Sequence, residues 1–145
     1  MAPDDILRAC GYLEAVWRED GADMAALLEC GPGERSTAVL LAEFGEYFIQ
    51  VMLPAQFGIH DGMSAQELAA AAEKLQADPT VRVSQVLIET LKTLAPTASR
   101  EQTETIARSL FAYLLSISDA AEDDMLPLLG GLREAALQRA ASTGA

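Results

Sequence analysis

Apolar residues recur along this chain at every third or fourth position, in runs broken by glycine, proline and short acidic segments, and that period predicts helices. The first helix begins behind Pro3-Asp4-Asp5 and runs to about Arg18. Ile6, Cys10, Leu13 and Trp17 form its stripe, widened by Leu7 and Val16. Asp4 or Asp5 is placed to cap its free N–H groups and to favour the positive helix end. A second helix of about two turns, Asp23 to Cys30, fits between Asp20-Gly21 and Gly31-Pro32-Gly33, and is short enough to depend on tertiary packing.

The third helix is the longest apolar run, Glu34 to Leu53, with Pro54 expected to stop it. Val39, Leu40, Phe44, Tyr47, Phe48, Val51 and Met52 make a broad face, opposite Glu43, Glu46 and Gln50. Leu41 and Ile49 fall outside that face, so the helix needs contacts on more than one side. A central place in a bundle and a dimer interface satisfy this need equally. A glycine-punctuated connection carrying Phe57, His60 and Asp61 follows. Ser64-Ala65-Gln66-Glu67 then reads as a capping box, opening a fourth helix to about Ala77 with Leu68, Ala71, Ala72 and Leu75 on one face.

Asp78-Pro79 is an N-cap followed by proline at the first helical position, so a fifth helix runs to about Leu94 through Val83, Val86, Leu87 and Leu91. Thr97 or Ser99 caps a sixth, whose core face is Ile106, Leu110, Phe111, Leu114, Leu115 and Ile117. After the acidic turn Asp119 to Asp124, a seventh carries Leu126, Leu129, Leu132, Ala136 and Ala140, with Gly130-Gly131 expected to kink or start it. The tail, residues 142–145, is expected to fray.

Composition agrees with this pattern. Alanine (26) and leucine (20) dominate, against 12 Val plus Ile, which favours helix over strand. With 145 residues the expectation is an all-α fold, a single-domain bundle of six or seven helices spanning 1–145.

Charge adds a second pattern. The net charge is −12, and residues 1–78 hold 14 acids and 4 bases against 8 and 6 in residues 79–145. From Ser36 to Glu73 no basic residue occurs, while Glu43, Glu46, Asp61, Glu67 and Glu73 do. Such acidity disfavours direct nucleic-acid binding and docking on anionic membranes. No run approaches the ~20 apolar residues of a membrane span, since Glu43, Glu46 and Gln50 interrupt the longest. The first residues lack a signal-peptide core, and a cytoplasmic location is expected. Cys10 and Cys30, both in apolar helical contexts, read as small buried hydrophobes.

Candidate chemistry is sparse. His60 beside Asp61 is the obvious acid–base candidate, yet no serine sits in a nucleophile-elbow motif and neither cysteine is near in sequence. A lone histidine cannot supply a two-histidine metal motif. Glu43 and Glu46 share a helix face but lack the Glu-x-x-His partners of di-metal bundles, so no metal or cofactor is expected. The acidic turn lacks EF-hand spacing, and Gly31-Pro32-Gly33-Glu34-Arg35-Ser36 lacks the lysine and glycine spacing of a phosphate loop.

These exclusions leave a non-enzymatic helical interaction module, an adaptor, regulator or chaperone-like protein, with a protein partner or itself as a homodimer. Phe44, Tyr47, Phe48, Met52, Phe57, Trp17 and Tyr12 are the candidate interaction or pocket residues, and His60, Asp61, Glu43 and Glu46 the polar ones. The alternatives are a bundle binding a small apolar ligand or lipid through those aromatics, and an acidic nucleic-acid mimic that blocks a basic protein.

Overall fold

The fold was obtained as a computed structural model, which describes residues 1–144. Seven α-helices occur among them and no strand. They are α1 (Pro3–Trp17), α2 (Gly21–Leu28), α3 (Thr37–Gln56), α4 (Ala65–Ala77), α5 (Pro79–Leu94), α6 (Arg100–Ile117) and α7 (Met125–Thr143). Single 3₁₀ turns, Ala95–Thr97 and Glu122–Asp124, lead into α6 and α7. The all-α bundle read from the sequence is the fold.

Two helices make the centre. α1 packs on α2, α3, α6 and α7, while α3 packs on α1, α5 and α6. The α1 face that Ile6, Cys10 and Leu13 define is wider than their spacing suggests, because Ala9, Tyr12, Ala15 and Val16 are buried as well. Leu7, read as part of that stripe, is exposed. In α3, Leu40, Leu41, Phe44, Phe48 and Leu53 are fully buried, which explains why apolar residues occupy more than one side. Phe48 meets Phe44 edge to face at 4.6 Å, and Trp17 meets Phe111 likewise at 5.1 Å. By length and composition α3 is apolar enough to cross a membrane, with a mean hydropathy of 1.3 over its most apolar stretch. In this fold α1, α5 and α6 take up its apolar residues.

Several boundaries differ from expectation for local reasons. Ala2, which has no capping side chain, holds the N-cap of α1, so Asp4 and Asp5 lie inside the first turn. α2 starts two residues early because Asp20 caps it, accepting from the Asp23 N–H at 3.1 Å, and it ends at Leu28. α3 begins later, at the Ser36 cap, and continues through Pro54 for two more residues. Proline removes only one N–H there, and the end closes with Phe57 N–H on the Leu53 carbonyl and Ile59 N–H on that of Pro54. Ser64 and Glu67 form the expected capping box, and Ser99, with Gln102, forms another. Gly130 and Gly131 neither break nor start α7, which runs through them. The expected frayed tail is helical to Thr143; Ala145 lies outside the described residues.

The largest departure is on α5. Val83 and Val86, read as core, are 68% and 66% exposed. The buried stripe is instead Val81, Ser84, Ile88 and Leu91, continued by Ala95, at the same alternation of three and four. Ser84 tolerates burial because its hydroxyl donates to the Thr80 carbonyl at 2.7 Å. α4 packs on α5 and buries no residue fully.

Candidate functional site

Glu43 and Glu46 project from α3 into a cleft of about 500 Å³ walled by α1, α3, α5 and α7. The stretch without basic residues acquires its cations here, from elsewhere in the chain. Arg35, in the connection before α3, donates to Glu43 and, at 2.6 Å, to Asp5 of α1. The hydrogen bond to Asp5 is the main reason the Arg35 guanidinium holds its proton more tightly than usual. Lys92 of α5 reaches Glu46 at 3.2 Å and Glu89 at 3.8 Å, and its ammonium is likewise raised, chiefly by Glu46. Arg139 of α7 lies over the Tyr47 ring, 5.8 Å from its centroid. Tyr47 in turn stacks on Phe44 at 5.9 Å. Burial pushes the Tyr47 phenol up, with Arg139 opposing, so it stays protonated at neutral pH. No Ser, Cys or His is among the described residues lining the cleft. It is equipped to hold charge and an apolar body.

Only Tyr47, Glu43 and Glu46 of the sequence candidates meet in this cleft. Tyr12, Phe44 and Phe48 are fully buried and hold the core; Trp17, Met52 and Phe57 are half-buried. His60 and Asp61 are exposed in the connection after α3, outside the cleft lining. The His60 Nδ1 accepts from the Gly62 N–H at 3.1 Å, a turn contact that needs an unprotonated Nδ1. No group of three or more metal-donor side chains occurs among the described residues.

A second surface was not expected at all. Val83, Val86 and Leu94 (56% exposed) form an apolar stripe on the outer side of α5, with Thr90 between them and half-buried Leu87 alongside. Beside it a groove of about 600 Å³ runs between α5 and α6, lined by Val83, Leu87, Ala112 and Ile117 and by the hydroxyls of Thr80, Ser84, Ser109 and Ser116. No charged side chain lines it. The Tyr113 hydroxyl at this groove is buried beside the Ser84 hydroxyl, whose own proton goes to the Thr80 carbonyl. Burial pushes its phenol up, with Ser84 opposing.

No family model, curated protein or solved structure matches this chain.

Arg8 is a further residue the sequence pattern passed over. Its guanidinium ties the connection from α2 to α3: Nε donates to the Leu27 carbonyl at 3.1 Å and a terminal nitrogen to that of Glu29 at 2.7 Å. It also contacts the Cys30 Sγ at 2.8 Å. Cys30, expected to be buried, is exposed in that connection because α2 ends before reaching it. Cys10 is buried as expected, and desolvation pushes its thiol up to about 12.

Proposed function

We propose that this protein is a non-enzymatic, acidic helical interaction module that pairs with a second copy of itself through the outer face of α5. The observation that carries the reading is the apolar stripe Val83, Val86 and Leu94, left exposed although α5 already buries a complete stripe on its other side. Isolated exposed apolar residues need no explanation, but an aligned row beside an uncharged groove marks an interaction surface. The row also suits a two-fold pairing. In two antiparallel α5 helices related by an axis near residues 88 and 89, Val83 of one comes opposite Leu94 of the other, and Leu87 opposite Thr90. Each burial of a valine or leucine of this kind stabilises by roughly 1.5–3 kcal/mol. Acidity elsewhere on the surface opposes non-specific association and leaves this face as the place where copies approach. A cytoplasmic location accompanies the proposal.

The test is sedimentation of the wild-type chain and of Val86→Lys. Val86 is largely exposed, so the variant should keep its helical spectrum and melting temperature while shifting from dimer to monomer. A wild-type chain that stays monomeric at high concentration would refute self-pairing.

One observation favours a second reading. The buried Tyr113 hydroxyl beneath an apolar, hydroxyl-lined groove suits a small apolar ligand with a single hydrogen-bonding group. Native mass spectrometry of the chain purified from its host would show the added mass. Nucleic-acid mimicry draws less support, because Asp5, Glu14, Glu34, Glu43, Glu46, Glu89 and Glu104 are all engaged in ion pairs.

A further inference from the structure

The cleft between α1, α3, α5 and α7 differs in charge from the molecule around it. Its lining carries Arg35, Lys92 and Arg139 together with Glu43 and Glu46, three cationic side chains in one place on a chain whose net charge is −12. Two of the three cations are committed, Arg35 to Asp5 and Glu43 and Lys92 to Glu46 and Glu89. Arg139 pairs with no carboxylate among the described residues; its guanidinium lies over the Tyr47 ring. A guanidinium so placed offers a planar fork of donors that matches a carboxylate. Ile6, Ala136 and Ala140 supply apolar lining near it, and Tyr47 an aromatic ring.

We infer that this cleft is a binding site for a small monocarboxylate with a flat apolar body. The carboxylate pairs with Arg139, and the body lies against Tyr47 and the alanines of α7. One uncommitted cation suits a monoanion: Glu43 and Glu46 share the cleft and repel a second negative charge, which disfavours phosphate and dicarboxylates. This site is independent of the α5 surface, so either can fail alone.

Benzoate is a suitable probe, followed by ¹H–¹⁵N NMR on the full chain. Saturable shifts centred on the cleft faces of α3 and α7 are expected, with at least a tenfold weaker response for neutral benzamide and for inorganic phosphate. Arg139→Gln removes the charge from an exposed side chain that makes no ion pair, so folding is retained and benzoate affinity falls at least tenfold. Tyr47→Leu keeps the charge and removes the aromatic face, and weakens benzoate more than acetate. The inference is overturned by no saturable response to benzoate, by equal binding to Arg139→Gln, or by phosphate binding as well as benzoate.

Discussion

Gly45 sits where α3 crosses α5 and α6, and a Cβ built on it would come within 2.7 Å of Leu110 Cδ2 and 2.9 Å of Ile88 Cδ1. Both neighbours are buried, so neither methyl can swing away freely. Gly131 is also inside a helix, but nothing lies within 4 Å of its Cβ position. The two substitutions to alanine therefore differ in sign. Gly131→Ala should stabilise by roughly 0.5–1 kcal/mol through helix propensity alone. At Gly45 the same gain is outweighed by overpacking of ~1–3 kcal/mol, so Gly45→Ala should lose about 1 kcal/mol and Gly45→Val more. Urea unfolding of the variants measures both, and equal effects at the two sites would show that the α3 crossing is not tight. Glycine in a helical run gives the same sequence signal at both positions; only packing separates them.

At the scale of elements, the connection from α2 to α3 shows how a single side chain replaces secondary structure. Arg8 donates to the carbonyls of Leu27 and Glu29, while the Thr37 hydroxyl donates to Leu27 at 2.6 Å. Lysine cannot reproduce that fork. Arg8→Lys should therefore leave α1 and α3 intact yet speed amide exchange across residues 28–35 by about tenfold, corresponding to a loss of ~1.4 kcal/mol in local stability. Exchange by mass spectrometry decides it, and unchanged rates would mean that the connection is held by other contacts. Helix number and order were legible from periodicity and caps, because Ser64, Asp78 and Ser99 act locally. The faces were less legible. On α5 two apolar stripes compete, and Val83, Val86 and Leu87 look as much like core as Val81, Ile88 and Leu91. What decides between them is the position of α3 and α6, which lies outside the helix itself. The cleft was legible in part: Glu43, Glu46 and Tyr47 stood out, but Lys92 and Arg139 reach it only through the fold.

For the whole molecule, buried acids that are neutral at pH 7 set the response to alkali. Burial holds the Cys10 thiol near 12 against an ordinary 9.0, and also raises Tyr12 and Tyr113 above 10.0. In the unfolded chain these groups release their protons at the lower values, so above pH 9 the unfolded state binds fewer protons and stability falls with rising pH. The Cys10 contribution is complete below pH 9 and is lost between 9 and about 12, amounting to roughly 4 kcal/mol at the upper limit. Denaturant midpoints from pH 7 to 11 should decline past 9, less steeply in Cys10→Ala once its own packing loss is subtracted. A flat profile through this range would contradict the burial of that thiol.

The packing of α1 on α7 also bears on the order of assembly. Glu14 and Arg133, 3.0 Å apart, are separated by 119 positions, and Leu129, Leu132 and Ala136 belong to the core that α1 enters. During synthesis at ~5–20 residues per second, α1 must wait roughly 6 to 24 s before α7 emerges to cover it. Until then the part of its apolar face that α7 covers is accessible to whatever else is nearby. Nascent chains of this protein thus carry part of the α1 face uncovered until α7 follows it.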